Sequence, residues 1–194
     1  MLRANTAVQT MARRWWMMTL VVAAGALIAV ACGGGGGGGG GGASFDDPRL
    51  AEFDDGLTTP GQGHLNAGVP FNYPTIPAYG GPHAGNLLPC SVYPDEQSQE
   101  RILHSMEHGA VVIFFQPDVA SGDDITQIRQ LGTELLREGN RIVVAPNRQL
   151  TNPIVIASWA RLLPLQTFED ATIRGFVDAF ENDGPENIPR GNAC

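Results

Sequence analysis

The chain has no lysine; all twelve positive residues are arginine. That is a composition bias without functional content. Positive charge is itself scarce where it would matter. Arg3, Arg13 and Arg14 precede Cys32, so nine arginines face twenty acids that all follow it. Binding to nucleic acid comes from neutralising phosphates, and attraction to anionic lipid headgroups needs clustered basic residues. This balance argues against both. Cysteine is scarce too. Three residues do not make a disulfide-dense scaffold, and no Cys-x-x-Cys pair is present to carry thioredoxin-type redox chemistry. The acids show no calcium-loop spacing. Only four histidines occur, His64, His83, His104 and His108, and candidate chemistry concentrates around them.

The first 32 residues predict an export signal. Three arginines supply the basic start, and Trp15–Ala31 is apolar apart from Thr19 and Gly25. A run of about 17 residues is at the lower limit for spanning a bilayer. Its end, Ile28-Ala29-Val30-Ala31-Cys32-Gly33, is similar to a bacterial lipobox, with Ala29 in place of the usual leucine. The expectation is cleavage of residues 1–31 and lipidation of Cys32. The alternatives are an ordinary signal cut after Ala31 or an uncleaved anchor. Two acyl chains hold a protein on a membrane where one does so marginally. The expected place is therefore the cell envelope, periplasmic or on the outer membrane face, with the lipid as membrane partner. Arg13-Arg14-Trp15-Trp16-Met17 faintly resembles a twin-arginine signal. Ten glycines, Gly33–Gly42, then open an acidic stretch. Residues 32–56 predict a disordered tether reaching roughly 25–30 Å.

Residues 57–194 predict one globular α/β domain. Leu57–Pro94 is interrupted by repeated Pro and Gly, which exclude a helix and a central strand, yet it carries Leu65, Phe71, Tyr73, Ile76 and Leu88. It predicts an extended, ordered wrap. A helix is expected after Pro94, with Asp95 and Glu96 in its first turn, ending at Gly109. Ala110–Phe115 predicts a buried strand, Ile125–Glu138 a helix with Gly139-Asn140 as its stop, and Arg141–Ala145 a second strand. Ile154–Trp159 predicts a third strand, Arg161–Thr167 a connection, and Phe168–Phe180 a last helix capped by Thr167. The first two strands, joined through a helix, should be parallel, and the third antiparallel. The expected architecture is an about three-stranded mixed sheet packed with helices. The order resembles part of a thioredoxin-like fold.

His104 and His108 lie four apart at a helix end and so share a face. Imidazole is the commonest metal ligand. His83, in Gly80-Gly81-Pro82-His83-Ala84-Gly85, and His64, in Gly61-Gln62-Gly63-His64, sit where glycines allow close approach. A three- or four-histidine site suits zinc or copper. The alternative is four structural histidines, favoured by a helix C-terminus or by bonds to carbonyls. His104-Ser105-Met106-Glu107-His108 also matches the H-x-x-E-H pattern of inverted zinc proteases, in which the glutamate serves as base. That chemistry needs a further ligand, with Glu181 and Glu186 as candidates. Short length and the position at a helix end argue against a hydrolase. Cys90 and Cys194 remain once Cys32 is lipidated. In an oxidising compartment they are expected to pair, closing a loop worth about 4–5 kcal/mol in the chain-entropy model. Two free thiols are the alternative.

Three runs carry a family resemblance: Pro74-Thr75-Ile76-Pro77, Gly81-Pro82-His83 and His104-Ser105-Met106-Glu107-His108-Gly109-Ala110-Val111-Val112-Ile113. Over about residues 60–185 the chain resembles the bacterial domain of unknown function 3105 family. The usual Ser-Gly before the middle histidine is Gly80-Gly81 here, still a small and flexible approach. The resemblance implies an exported or membrane-associated domain, and it implies no reaction.

Overall fold

The computed structural model describes residues 45–53, 64–66, 69–186 and 188. The export signal, Cys32, the glycine run and Cys194 lie outside the described residues. Among the described residues no helix is long and apolar enough to cross a membrane.

Among the described residues, eight strands and three helices follow in order: β1 (Ala51–Glu52), β2 (His64–Leu65), β3 (His83–Ala84), β4 (Ser91–Val92), α1 (Gln99–Glu107), β5 (Val111–Phe115), α2 (Gly122–Arg137), β6 (Ile142–Pro146), β7 (Ile154–Ser158), β8 (Arg161–Leu165) and α3 (Asp170–Phe180). The expected mixed α/β class holds, but the sheet has six strands, not three, in the order β1-β8-β7-β5-β6-β4. β5 pairs parallel with β6, Val112 opposite Val143, and antiparallel with β7, Ile113 opposite Ile156. β2 and β3 form a separate parallel pair that aligns His64 with His83.

The continuous apolar runs explain the centre of the sheet. Every residue of β5, β6 and β7 is buried, so side chains alternate into two cores instead of alternating with solvent. Val111, Ile113 and Phe115 meet Ile128, Leu131 and Leu135 of α2 and Ile173, Phe176 and Val177 of α3. Val112 and Phe114 face the other way, onto Ile102, Leu103 and Met106 of α1 together with Ala78, Leu88 and Trp159. The sheet thus lies between α2 and α3 on one face and α1 on the other.

The missed strands have physical reasons. β8 lies where a connection was expected, and it contains Pro164. Its partner β1 covers only Arg161 and Leu162, so beyond them β8 is an edge, where proline is tolerated. Ala160, at φ 59°, makes the turn from β7 to β8. β1 and β4 are two residues each and carry no periodicity. β4 falls inside the proline-rich segment and pairs parallel with β6. Order also begins earlier than composition suggests. Phe45 packs edge-to-face on Phe176 and Phe180 at 5.8 and 5.7 Å, within the acidic stretch expected as tether.

Helix starts shift for local reasons. α1 begins at Gln99 because Ser98 caps it, its Oγ accepting from the Arg101 amide, so Asp95 and Glu96 stand outside. α2 begins at Gly122, with the Ser121 Oγ accepting from the Asp124 amide at 3.0 Å. At α3 the cap position is Glu169, not Thr167, and no side chain caps the helix.

Candidate metal centre

α1 ends in a backbone motif that fixes the site. Gly109, at φ +90°, supplies the left-handed residue that closes the helix. Its amide donates to the Met106 carbonyl, and that of Ala110 to the Ser105 carbonyl, both at 2.9 Å. This is the Schellman pattern. It stops the helix with His108 still in helical phase, so His104, Glu107 and His108 share one face. Ile102, Leu103 and Met106 occupy the core face. Ser105 binds Leu88 by both hydrogen-bonding roles, its Oγ accepting from the Leu88 amide at 3.0 Å and donating to the Leu88 carbonyl at 2.8 Å.

The chain before α1 delivers the other two histidines. Gly81, at φ 106°, turns the chain so that His83 enters buried, 3 % exposed. Its Nδ1 donates to the Gly81 carbonyl at 2.9 Å. His104 does likewise, its Nδ1 donating to the Ala84 carbonyl at 2.6 Å. A carbonyl has no proton to give, so each Nδ1 carries the hydrogen and each Nε2 is the bare nitrogen of the neutral ring. Such a backbone bond is how ligating imidazoles are oriented. His64, exposed on β2, stacks on His104 at 5.0 Å between ring centres and stands edge-on to His83 at 5.2 Å. His104 and His108 rings are 4.5 Å apart, with their Nε2 atoms at 3.1 Å.

Carboxylates close the cluster. Glu107 Oε2 lies 2.9 Å from His83 Nε2, both side chains 4 % exposed, but off the line of a hydrogen bond, so both atoms lack a hydrogen-bond partner, as does the buried His108 Nδ1. Unpaired buried polar atoms are costly. Burial pushes the Glu107 carboxyl up, and the His83 contact with the charges of His83, His104 and His108 outweighs it, leaving it below the usual range. Burial lowers His104, and the charges of its three neighbours lower it further against the Ala84 bond. Burial opposes charge on His83, but the contact with Glu107, the Gly81 bond and the charges of Glu107 and Glu186 raise it.

Of the two later glutamates, Glu186 reaches the cluster, with Oε2 3.1 Å from His108 Nε2. Glu181 instead accepts from Asn140 and from the Arg141 amide, at 2.8 and 2.9 Å. The tail is held there by Asn182 donating to the Gly109 carbonyl and Glu186 donating to that of Glu107. Among the described residues two ligand sets result, His64–His83–His104 and His104–Glu107–His108, with candidate ligand atoms of each set within 4.8 Å of one another. No sequence signal marks the Gly81 and Ala84 carbonyls or the edge of Trp159 against His83 at 5.9 Å. The Cys90 sulfur is engaged; the expected Cys90–Cys194 bridge extends outside the described residues.

A family model described as "Protein of unknown function (DUF3105)" matches residues 64–193. The chain belongs to this family. The DUF3105 match begins at His64 and takes in all four histidines with Glu107 and Glu186. No curated protein and no solved structure matches the chain.

Proposed function

We propose that this DUF3105 protein is a lipid-tethered envelope domain that holds one transition-metal ion, zinc or copper, in its histidine cluster. One observation carries the metal reading. His83 and His104 each spend Nδ1 on a carbonyl and turn Nε2 into the cluster, His83 toward Glu107 and His104 toward His108 Nε2 at 3.1 Å. Structural histidines would spend both nitrogens on protein partners. Here His83 Nε2 meets only the Glu107 carboxylate, 2.9 Å away and off the line of a hydrogen bond, and His108 Nδ1 has no hydrogen-bond partner. Imidazole with carboxylate suits zinc, and imidazole alone also suits copper.

Metal analysis of the purified full chain tests this. About one zinc or copper per chain is expected, lost in His104→Ala, since that residue belongs to both ligand sets. Absence of metal after incubation with either ion would refute the reading. The H-x-x-E-H hydrolase reading gains less support. Glu107 faces His83 inside the cluster rather than an open place for substrate. The neighbouring cavity of about 490 Å³ is lined by Leu65, Val69, Glu100 and Arg101, with no histidine and not by Glu107.

The tether and the bridge belong to the same proposal. The lipobox-like sequence supports lipidation of Cys32, and the engaged Cys90 sulfur supports a bridge to Cys194. Mass spectrometry of the mature chain is expected to find a diacylglyceryl adduct on Cys32 and a Cys90–Cys194 cross-linked peptide. A mature chain that keeps residues 1–31, or a free thiol at Cys194, would contradict the respective half.

A further inference from the structure

His104 belongs to both ligand sets, yet it has one nitrogen to offer. Its Nδ1 is committed to the Ala84 carbonyl at 2.6 Å, and a lone pair in the ring plane serves one ion. A bridging imidazolate is therefore unavailable. Nor do the two sets merge around one ion. Zinc–nitrogen and zinc–oxygen bonds of about 2.0–2.2 Å put two ligand atoms of one ion no more than about 4.4 Å apart. Among the described residues only the two triads meet even a 4.8 Å limit.

The triads differ in access and chemistry. The outer one is all imidazole and includes His64, which is exposed. The inner one is buried throughout, combines two imidazoles with the Glu107 carboxylate, and is flanked by Glu186 from the tail. Resting on the metal reading above, we infer that the domain takes an ion at the outer triad and passes it to the inner triad by a pivot on His104 Nε2. The chain then holds one ion at a time in either of two positions. Entry to the inner position seats the ion against His104 Nε2 and His108 Nε2, which lie 3.1 Å apart. It leaves the ion with a carboxylate that offsets its charge. Uptake is a two-step event, and occupancy of one triad excludes the other.

Cobalt(II) mixed rapidly with the metal-free full chain, followed by visible absorption, tests the inference. Two successive spectra are expected, with a final stoichiometry of one cobalt per chain. His64→Ala, an exposed substitution, should lose the first spectrum and keep the final one. Glu107→Gln should keep the first and lose the conversion; circular dichroism checks that it folds. Two cobalt ions per chain would overturn the inference, as would a single spectrum abolished equally by both substitutions. No cobalt uptake by the unsubstituted chain would instead overturn the metal reading itself.

Discussion

Zinc added to the metal-free chain at a hundredfold excess over its dissociation constant should raise the melting temperature by about 5–10 °C. Ligand binding to the folded state alone contributes about 2.7 kcal/mol at that excess. A domain of this size shifts by about 2–4 °C per kcal/mol. His104→Ala should abolish the shift. The pH dependence has a definite sign. Ligating nitrogens must shed their protons, so the zinc gain shrinks as pH falls. Burial, reinforced by the charges of its neighbours, depresses His104, which makes it a ready ligand near neutrality. The metal-free chain behaves differently. His83 is raised, with burial outweighed chiefly by Glu107; its contribution to stability is complete below the ordinary histidine value of about 6.5 and is lost as pH rises through the raised folded value. Glu107 is depressed; its contribution is complete above the ordinary value of about 4.5 and is lost as pH falls through the folded value. This pair therefore stabilises the metal-free chain most between those two ordinary values. Zinc stabilises it most on the alkaline side. Melting curves with zinc and with a chelator, on both sides of neutrality, check the crossing. An unmoved midpoint with zinc and with copper would leave the cluster without a metal role.

The parts of this fold that were legible are those whose burial writes a local pattern. β5, β6 and β7 are unbroken apolar runs, and α2 repeats Ile128, Leu131 and Leu135 at helical spacing. β8 was not legible because Pro164 signals a break, and only the tertiary position at a sheet edge makes it harmless. β1 and β4 take their identity from the strands they join. The same division runs through the site. His104, Glu107 and His108 were readable together because one helix fixes their spacing. The approach of His83 and His64 depends on β2 and β3 meeting α1, which glycine permits without specifying. Glu181 and Glu186 were equivalent in sequence. Asn140 and the Arg141 amide take the first, and the tail's bonds to the end of α1 bring in the second.

That tail makes the second large prediction, and three glycines resolve its cause. Gly139 ends α2 at φ +92° with open space where a Cβ would go. Gly139→Ala should cost only the left-handed strain, about 1–2 kcal/mol. Gly109 has a similar φ of +90°, but its Cβ would lie 2.6 Å from the Asn182 Cα. Gly184 does not need a left-handed backbone, yet its Cβ would overlap the Glu107 carbonyl oxygen and lie 2.6 Å from the Gly109 amide nitrogen. In both cases the obstacle is backbone, which no rotamer change relieves. The tail must lift. That breaks the Asn182–Gly109 and Glu186–Glu107 main-chain bonds, and it strips Glu186 from His108. Arg141, buried and donating to both the His108 and Ile188 carbonyls at 2.7 and 3.0 Å, would lose the second of these. Gly184→Ala should therefore cost about 2–4 kcal/mol, in the range of lost buried hydrogen-bond networks, and Gly109→Ala at least as much. Urea unfolding should rank Gly139→Ala well above both in stability. Equal losses at Gly139 and Gly109, with none at Gly184, would mean that backbone strain alone governs them and that the tail is not seated on α1. If Gly184→Ala lowers stability and also weakens zinc binding, while Gly139→Ala leaves zinc binding alone, the tail is what closes the inner triad.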